Sequence, residues 1–172
     1  MIVRPKPGGK WVTEITPDDS VAIAACRTLK PRLRAVGKFL QSAASSWQQD
    51  PEYVHQLRVH SRRCLAAVEL YSSILPKRRR RRMQRWLRQI REAAGQARNM
   101  DVLLEQYRQS DEKIWPDHLR EGVASEVLSE TRKRICVDLE VCRLRAQRPI
   151  ERLNGELIES NRFKRASKRL VK

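Results

Sequence analysis

The chain has few aromatic residues, few glycines and comparatively few acids, and each shortage removes a class of protein. Aromatic residues make up 5% of the sequence and glycine occurs only 6 times. A strand-rich sandwich wants more β-branched and aromatic residues and more turn signals, so helices are favoured. The four cysteines, Cys26, Cys64, Cys136 and Cys142, show no CxxC spacing. Cys136 and Cys142 fall on different helix faces, which makes small core residues the expectation, with no metal site or disulfide framework. No apolar run reaches the length of a membrane span and no apolar signal region opens the chain, so a cytoplasmic protein in a reducing compartment is expected, with no membrane partner. GxGxxG, P-loop and zinc-ligand patterns are missing, and no cofactor is expected.

What is abundant is positive charge. Lys and Arg total 37 against 20 acidic residues, a formal net charge of +17. Self-repulsion on this scale destabilises a compact state, so an anionic partner is its natural explanation. Only ten of the 37 are Lys; the rest are Arg. The planar guanidinium grips phosphate oxygens in pairs, which a Lys point charge cannot do. Hydrophobic residues at 40% of 172 leave enough for one real core.

The apolar pattern predicts an all-α fold: an antiparallel bundle of four long helices plus a basic helical C-terminal tail. Residues 1–15 read as an extended arm, 16–148 as the bundle and 149–172 as the tail. Thr16 as N-cap with Pro17 at the first helical position opens the first helix. Ala25, Leu29, Leu33, Val36, Leu40 and Ala43 then keep one stripe across Pro31, which favours a single kinked helix over two. Asp50-Pro51-Glu52 opens a second helix that ends before Pro76. A third spans about Arg79 to Gln109, and a fourth starts near Asp117 and ends near Gln147, with Pro149 marking off the tail.

The informative stretch is His55-Gln56-Leu57-Arg58-Val59-His60-Ser61-Arg62-Arg63. At 100° per residue His55, Arg58 and Arg62 share a stripe about 60° wide. Leu57, Cys64, Val68, Tyr71 and Leu75 take the opposite face. The ridge begins near a helix N-terminus, where free N–H groups favour an anion. A solvated basic face is the ordinary explanation of such a stripe, and the stripe alone does not displace it. Arg78 to Arg82 weaken that explanation. Five consecutive cations at a helix N-terminus oppose the helix dipole and repel one another, which becomes favourable only beside dense negative charge. A consecutive run cannot all face one way. Arg80, Arg91 and Arg98 share a ridge beside the Met83, Leu87, Ile90, Ala94, Ala97 stripe and are the candidates, with Arg79 in the solvated part. Arg134 is the candidate from the fourth helix, sharing a stripe with Val123, Val137 and Val141. His60 reads as a packing or surface residue and His118 as an exposed one, while Trp47, Trp86 and Trp115 sit at positions suited to core packing, with base-stacking the weaker reading.

Val54-His55-Gln56-Leu57-Arg58-Val59 followed by Arg62-Arg63 resembles the signature of the CHAD family, the conserved-histidine α-helical domains. Gly95-Gln96-Ala97-Arg98-Asn99-Met100-Asp101-Val102 resembles a second family element, a small-residue turn followed by Arg-Asp-Leu-Asp-Val. The likeness covers roughly Thr16 to Gln147. It implies binding of inorganic polyphosphate in a basic channel between helices, and on it His55, Arg58, Arg62, Arg63 and Arg98 would face the ligand. Two positions depart from the pattern: Leu65 stands where the family often has Arg, and Asn99 where it has Asp. Asp101 is read as orienting Arg98, three residues back on the helix. The family domain holds two similar halves, whereas this chain shows one HxxR motif. It therefore resembles a half-domain that a homodimer would complete.

The leading reading is non-catalytic polyphosphate binding, with association to polyphosphate granules in view. The runner-up is binding of an RNA or DNA backbone, against which stand the few aromatics and the lack of a base-reading module. Phosphoryl-transfer catalysis at His55 ranks last, because no carboxylate cluster suited to magnesium accompanies it.

Overall fold

The computed structural model of the chain describes residues 15–109 and 123–170. Five α-helices occur there and no strand: α1 (Val21–Ser45), α2 (Glu52–Leu70), α3 (Lys77–Gln109), α4 (Val123–Asn154) and α5 (Arg162–Leu170). A π-helical turn, Gly155–Glu159, joins α4 to α5. The expected all-α bundle of four long helices with a helical tail is the fold. The arm up to residue 14, Trp115, His118 and the expected start of the fourth helix near Asp117 lie outside the described residues.

Helix α1 begins later than Thr16. Asp19 accepts a hydrogen bond from the Thr16 amide at 2.8 Å and pairs with Arg27 at 2.7 Å, which holds residues 16–19 as a turn. Ser20, with extended backbone, caps the helix instead by accepting from the Ile23 amide at 3.4 Å. Helix α1 then runs unbroken through Pro31, which is exposed, so the hydrogen bond it cannot donate falls on the solvent side. Asp50 opens α2 by accepting from the Glu52 amide at 2.9 Å. That helix stops at Leu70, short of Pro76, because Tyr71 turns in to share a hydrogen bond with Thr28 of α1 at 3.2 Å while residues 71–74 form successive turns.

Pro149 does not end α4. The helix continues to Asn154, and Ile150, Leu153 and Leu157 carry its buried face onward. Asn161, at φ 56°, turns the chain from the π segment into α5; asparagine tolerates this left-handed backbone because its short polar side chain bonds locally. Phe163 and Leu170 of α5 are buried, contributing roughly 3–6 kcal/mol together by the usual value for a large apolar side chain. The tail expected after Pro149 is thus packed into the core.

One core joins Leu29, Val36 and Leu40 of α1, Leu57 and Val68 of α2, Met83, Leu87 and Ile90 of α3, and Ile150 and Leu157. Helices α2 and α3 are antiparallel, with Glu69 facing Arg88 at 3.8 Å. Helices α3 and α4 are antiparallel too: Arg108 pairs with Glu140 at 2.6 Å and Asp101 with Arg143.

Candidate functional site

The α2 ridge has the geometry its spacing predicts. Val54, Leu57, Ser61, Cys64 and Val68 face the core, while Arg58 and Arg62 are exposed and His55 and Arg63 lie half-buried on the flanks. His55 to Arg62 covers about 10 Å of helix at 1.5 Å per residue. No described carboxylate pairs with Arg58 or Arg62. Two guanidinia a turn apart are therefore left with all their donors available.

His60 belongs to the other side of α2. It is buried and lies face to face with Phe39 of α1, ring centroids 4.8 Å apart. Burial foremost, then the charges of Arg63 and of Arg32 on α1, hold its pKa below the ordinary histidine value. The same burial pushes the Cys64 thiol up to about 12, so this cysteine packs as a small apolar group, as its spacing suggested.

The remaining candidates are not gathered in one place. Arg98, half-buried, lines a cleft of about 650 Å³ together with Pro51, Trp47, Asp101 and Arg143, which sets it beside the start of α2. Arg91 is exposed along the middle of α3. Arg80 turns back onto the Ser72 carbonyl and so ties α3 to the preceding turn, at the far end of α2 from His55. Arg134 is exposed on α4, and Val137 and Val141 of its stripe are exposed with it, so that stripe is no core face. The structure thus brings His55, Arg58, Arg62 and Arg63 together on α2, with Arg98 at their N-terminal end. Arg80 and Arg134 lie apart.

Asp101 does not orient Arg98. Its carboxylate pairs with Arg143 of α4, whose side chain is 2% exposed. The Arg143 guanidinium also donates to Gln147 at 3.1 Å and lies 4.2 Å over the Trp47 ring. Gln147 in turn donates to the Ala43 carbonyl at 2.7 Å. One polar chain therefore locks α3, α4 and the end of α1 directly beneath Arg98. The sequence gives Arg143 no mark beyond its charge.

Two motifs on neighbouring helices now have their geometry, and a family model agrees with them. The CHAD domain model matches residues 29–171. The chain belongs to the CHAD family. Its domains bind rather than catalyse and are linked with polyphosphate. No curated protein and no solved structure matches the chain. The CHAD match runs through α5, well past the Gln147 limit that the two motifs suggest.

Within that CHAD match lie basic residues that the motifs do not mark. Helix α5 is apolar on one side only, and each of its flanks carries cations. Arg162, Arg165 and Arg169 face Arg78, Arg79 and Arg82 of α3 across a cleft of about 540 Å³. Lys164 and Lys168 face Lys30, Arg34 and Lys38 of α1 across another of about 680 Å³, floored by Leu33 and Phe163. Arg79 is exposed, as expected, and also lines the wall of the first cleft, where its guanidinium donates to the Arg169 carbonyl at 2.6 Å. The spacing 162, 165, 169 is a helical stripe, and that was the available signal. Among the described residues no helix is long and apolar enough to cross a membrane.

Proposed function

We propose that this CHAD protein binds inorganic polyphosphate, without catalysis, along the His55–Arg58–Arg62 ridge of α2, with Arg63 and Arg98 beside it. The observation that carries the reading is the pair of exposed guanidinia on α2 that no described carboxylate neutralises, in a chain of the polyphosphate-linked family. Arg91 and Arg134 extend the positive surface along α3 and α4, and Arg80 adds charge at the far turn. The reading includes a homodimer that joins two ridges into one channel. It also includes a cytoplasmic setting near polyphosphate granules, which the four free cysteines suit.

The test is a titration with long-chain polyphosphate, RNA and duplex DNA at matched phosphate concentration and about 0.3–0.5 M salt. All three lose affinity with salt as counterions are released, but contacts enclosed between helices are screened less than surface ones. Polyphosphate should outcompete both nucleic acids there. Arg58→Ala and Arg62→Ala should each weaken it by about 1–3 kcal/mol, and Arg→Lys should restore only part, because bidentate geometry is lost. RNA binding equal to polyphosphate at that salt would favour the nucleic-acid reading instead.

A further inference from the structure

We propose that the cleft between the start of α3 and α5 is a second anion site, separate from the α2 ridge, that takes a short chain of linked phosphates. It rests on the polyphosphate reading and adds a pocket of different length preference to it.

The first support is the wall itself. Arg78, Arg79 and Arg82 come from α3 and Arg162, Arg165 and Arg169 from α5, and no Asp or Glu lines the cleft. The two helices are antiparallel here. Arg79 binds the Arg169 carbonyl at one end, and the Arg162 guanidinium lies 6.0 Å from the Trp86 ring at the other. Apposing two arginine rows with nothing between them is repulsive, and the apolar contacts of Phe163 and Leu170 hold α5 in place against it. A bound polyanion turns that repulsion into attraction from both walls.

Residue type identifies the anion. The flank of α5 toward α3 presents only arginine, whereas its flank toward α1 presents Lys164 and Lys168. Charge alone needs no such segregation. Phosphate oxygens taken in pairs by planar forks require arginine, and a row on each wall suits phosphates linked in sequence. A volume of about 540 Å³ is within the range of small-ligand sites and far too small for a duplex.

Position separates this cleft from the ridge. Arg80, within the same turn of α3, binds Ser72 just past the end of α2. His55 lies near the other end of α2, about 22 Å away along the 15 residues to Leu70 at 1.5 Å each. Arg62, the ridge cation nearest that end, is about 12 Å from Leu70 on the same measure, so a chain of three phosphates filling the cleft does not extend along the ridge to His55.

The experiment is calorimetric titration of the full chain with inorganic tripolyphosphate at about 0.15 M salt, a Debye length of about 8 Å. One tripolyphosphate per chain should bind. Arg82→Ala and Arg165→Ala should each weaken it by about tenfold, and Arg165→Lys should recover only part of that. The Arg58→Ala/Arg62→Ala double variant and Arg148→Ala, an exposed arginine outside the cleft, should change it less than about twofold. Circular dichroism checks each variant, and the substituted side chains are exposed. The proposal is overturned by an absence of tripolyphosphate binding, by equal losses at the ridge or at Arg148, or by full rescue with lysine. ATP carries the same linked phosphates on a nucleoside; tighter ATP binding would make this a nucleotide pocket and likewise overturn it. Long-chain polyphosphate bound without tripolyphosphate sinks the cleft alone. Tripolyphosphate held at the cleft without long-chain binding supports the cleft and sinks the ridge reading.

Discussion

His60 and His55 sit five residues apart on one helix and meet opposite surroundings. His60 is 3% exposed, stacked on Phe39, and its Nε2 has no hydrogen-bond partner. Protonating it would bury a charge beside Arg63 and Arg32, so the folded state resists the proton and the unfolded chain does not. The unfolded state therefore binds more protons below the ordinary value near 6.5. The stability contributed by a neutral His60 is present above that pH and is lost as the pH falls through it toward the lowered folded value. The melting temperature should drop between about pH 7.5 and 5.5, a window above the carboxylate range. In His60→Phe, which keeps the ring stack and removes the titration, that slope should shrink. A variant that retains the full slope would show that other groups set it. Spacing alone gave the burial of His60 only as one of two outcomes, because position 60 borders the apolar face and a second helix decides which side it joins.

Two prolines show how far helix limits are legible. Across Pro31 the stripe of Leu29, Leu33 and Val36 stays apolar, so continuity is readable, and α1 is continuous. Across Pro149 the helix also continues, but the inward residues before it are Arg143 and Gln147, which are polar and buried. Hydrophobic periodicity is blind to an inward face of that kind. Only the partners on other helices, Asp101, Trp47 and the Ala43 carbonyl, turn it into an interior one. The arginine run hides information in a different way: consecutive identical residues say nothing about facing, so the cleft that the exposed Arg79 shares with α5 is not legible from the run itself. The polar lock carries a prediction. Asp101→Ala strands a buried guanidinium and should cost about 3–5 kcal/mol in urea unfolding, the range for breaking a buried pair from one side. Asp101→Leu combined with Arg143→Met should recover most of that loss, since an apolar pair of similar volume avoids both desolvation penalties. Were Asp101 an orienter of Arg98, its loss would instead weaken anion binding and leave stability nearly intact.

At the scale of the whole molecule, the ends of the bundle are unequal. Before Arg143, no residue of α4 whose exposure is described is buried, although Val127, Ile135, Val137, Leu139 and Val141 all lie there. Val137, Val141 and Leu144 follow helical spacing and are 58%, 39% and 51% exposed. Among its described residues, the first part of this 32-residue helix thus buries no apolar side chain fully within the chain. An apolar stripe of this kind marks a contact surface, and in the homodimer proposed above a second copy would be its occupant. Arg134, one turn before Val137, would then lie at the rim of the joined surface, which gives a reason for a cation there that the single chain lacks. Light scattering should report roughly twice the 20.2 kDa chain mass. Val137→Glu with Val141→Glu should return the chain to its monomer mass without loss of helix content or melting temperature, since neither side chain is buried within one chain. The same double variant should weaken long-chain polyphosphate by at least about tenfold, because one ridge replaces two and effective concentration is lost. Tripolyphosphate at the α3–α5 cleft should be untouched by it, since that cleft is complete within one chain. A wild-type chain that stays monomeric with and without polyphosphate, and still binds it tightly, would remove the second copy from the site and leave the ridge to act alone.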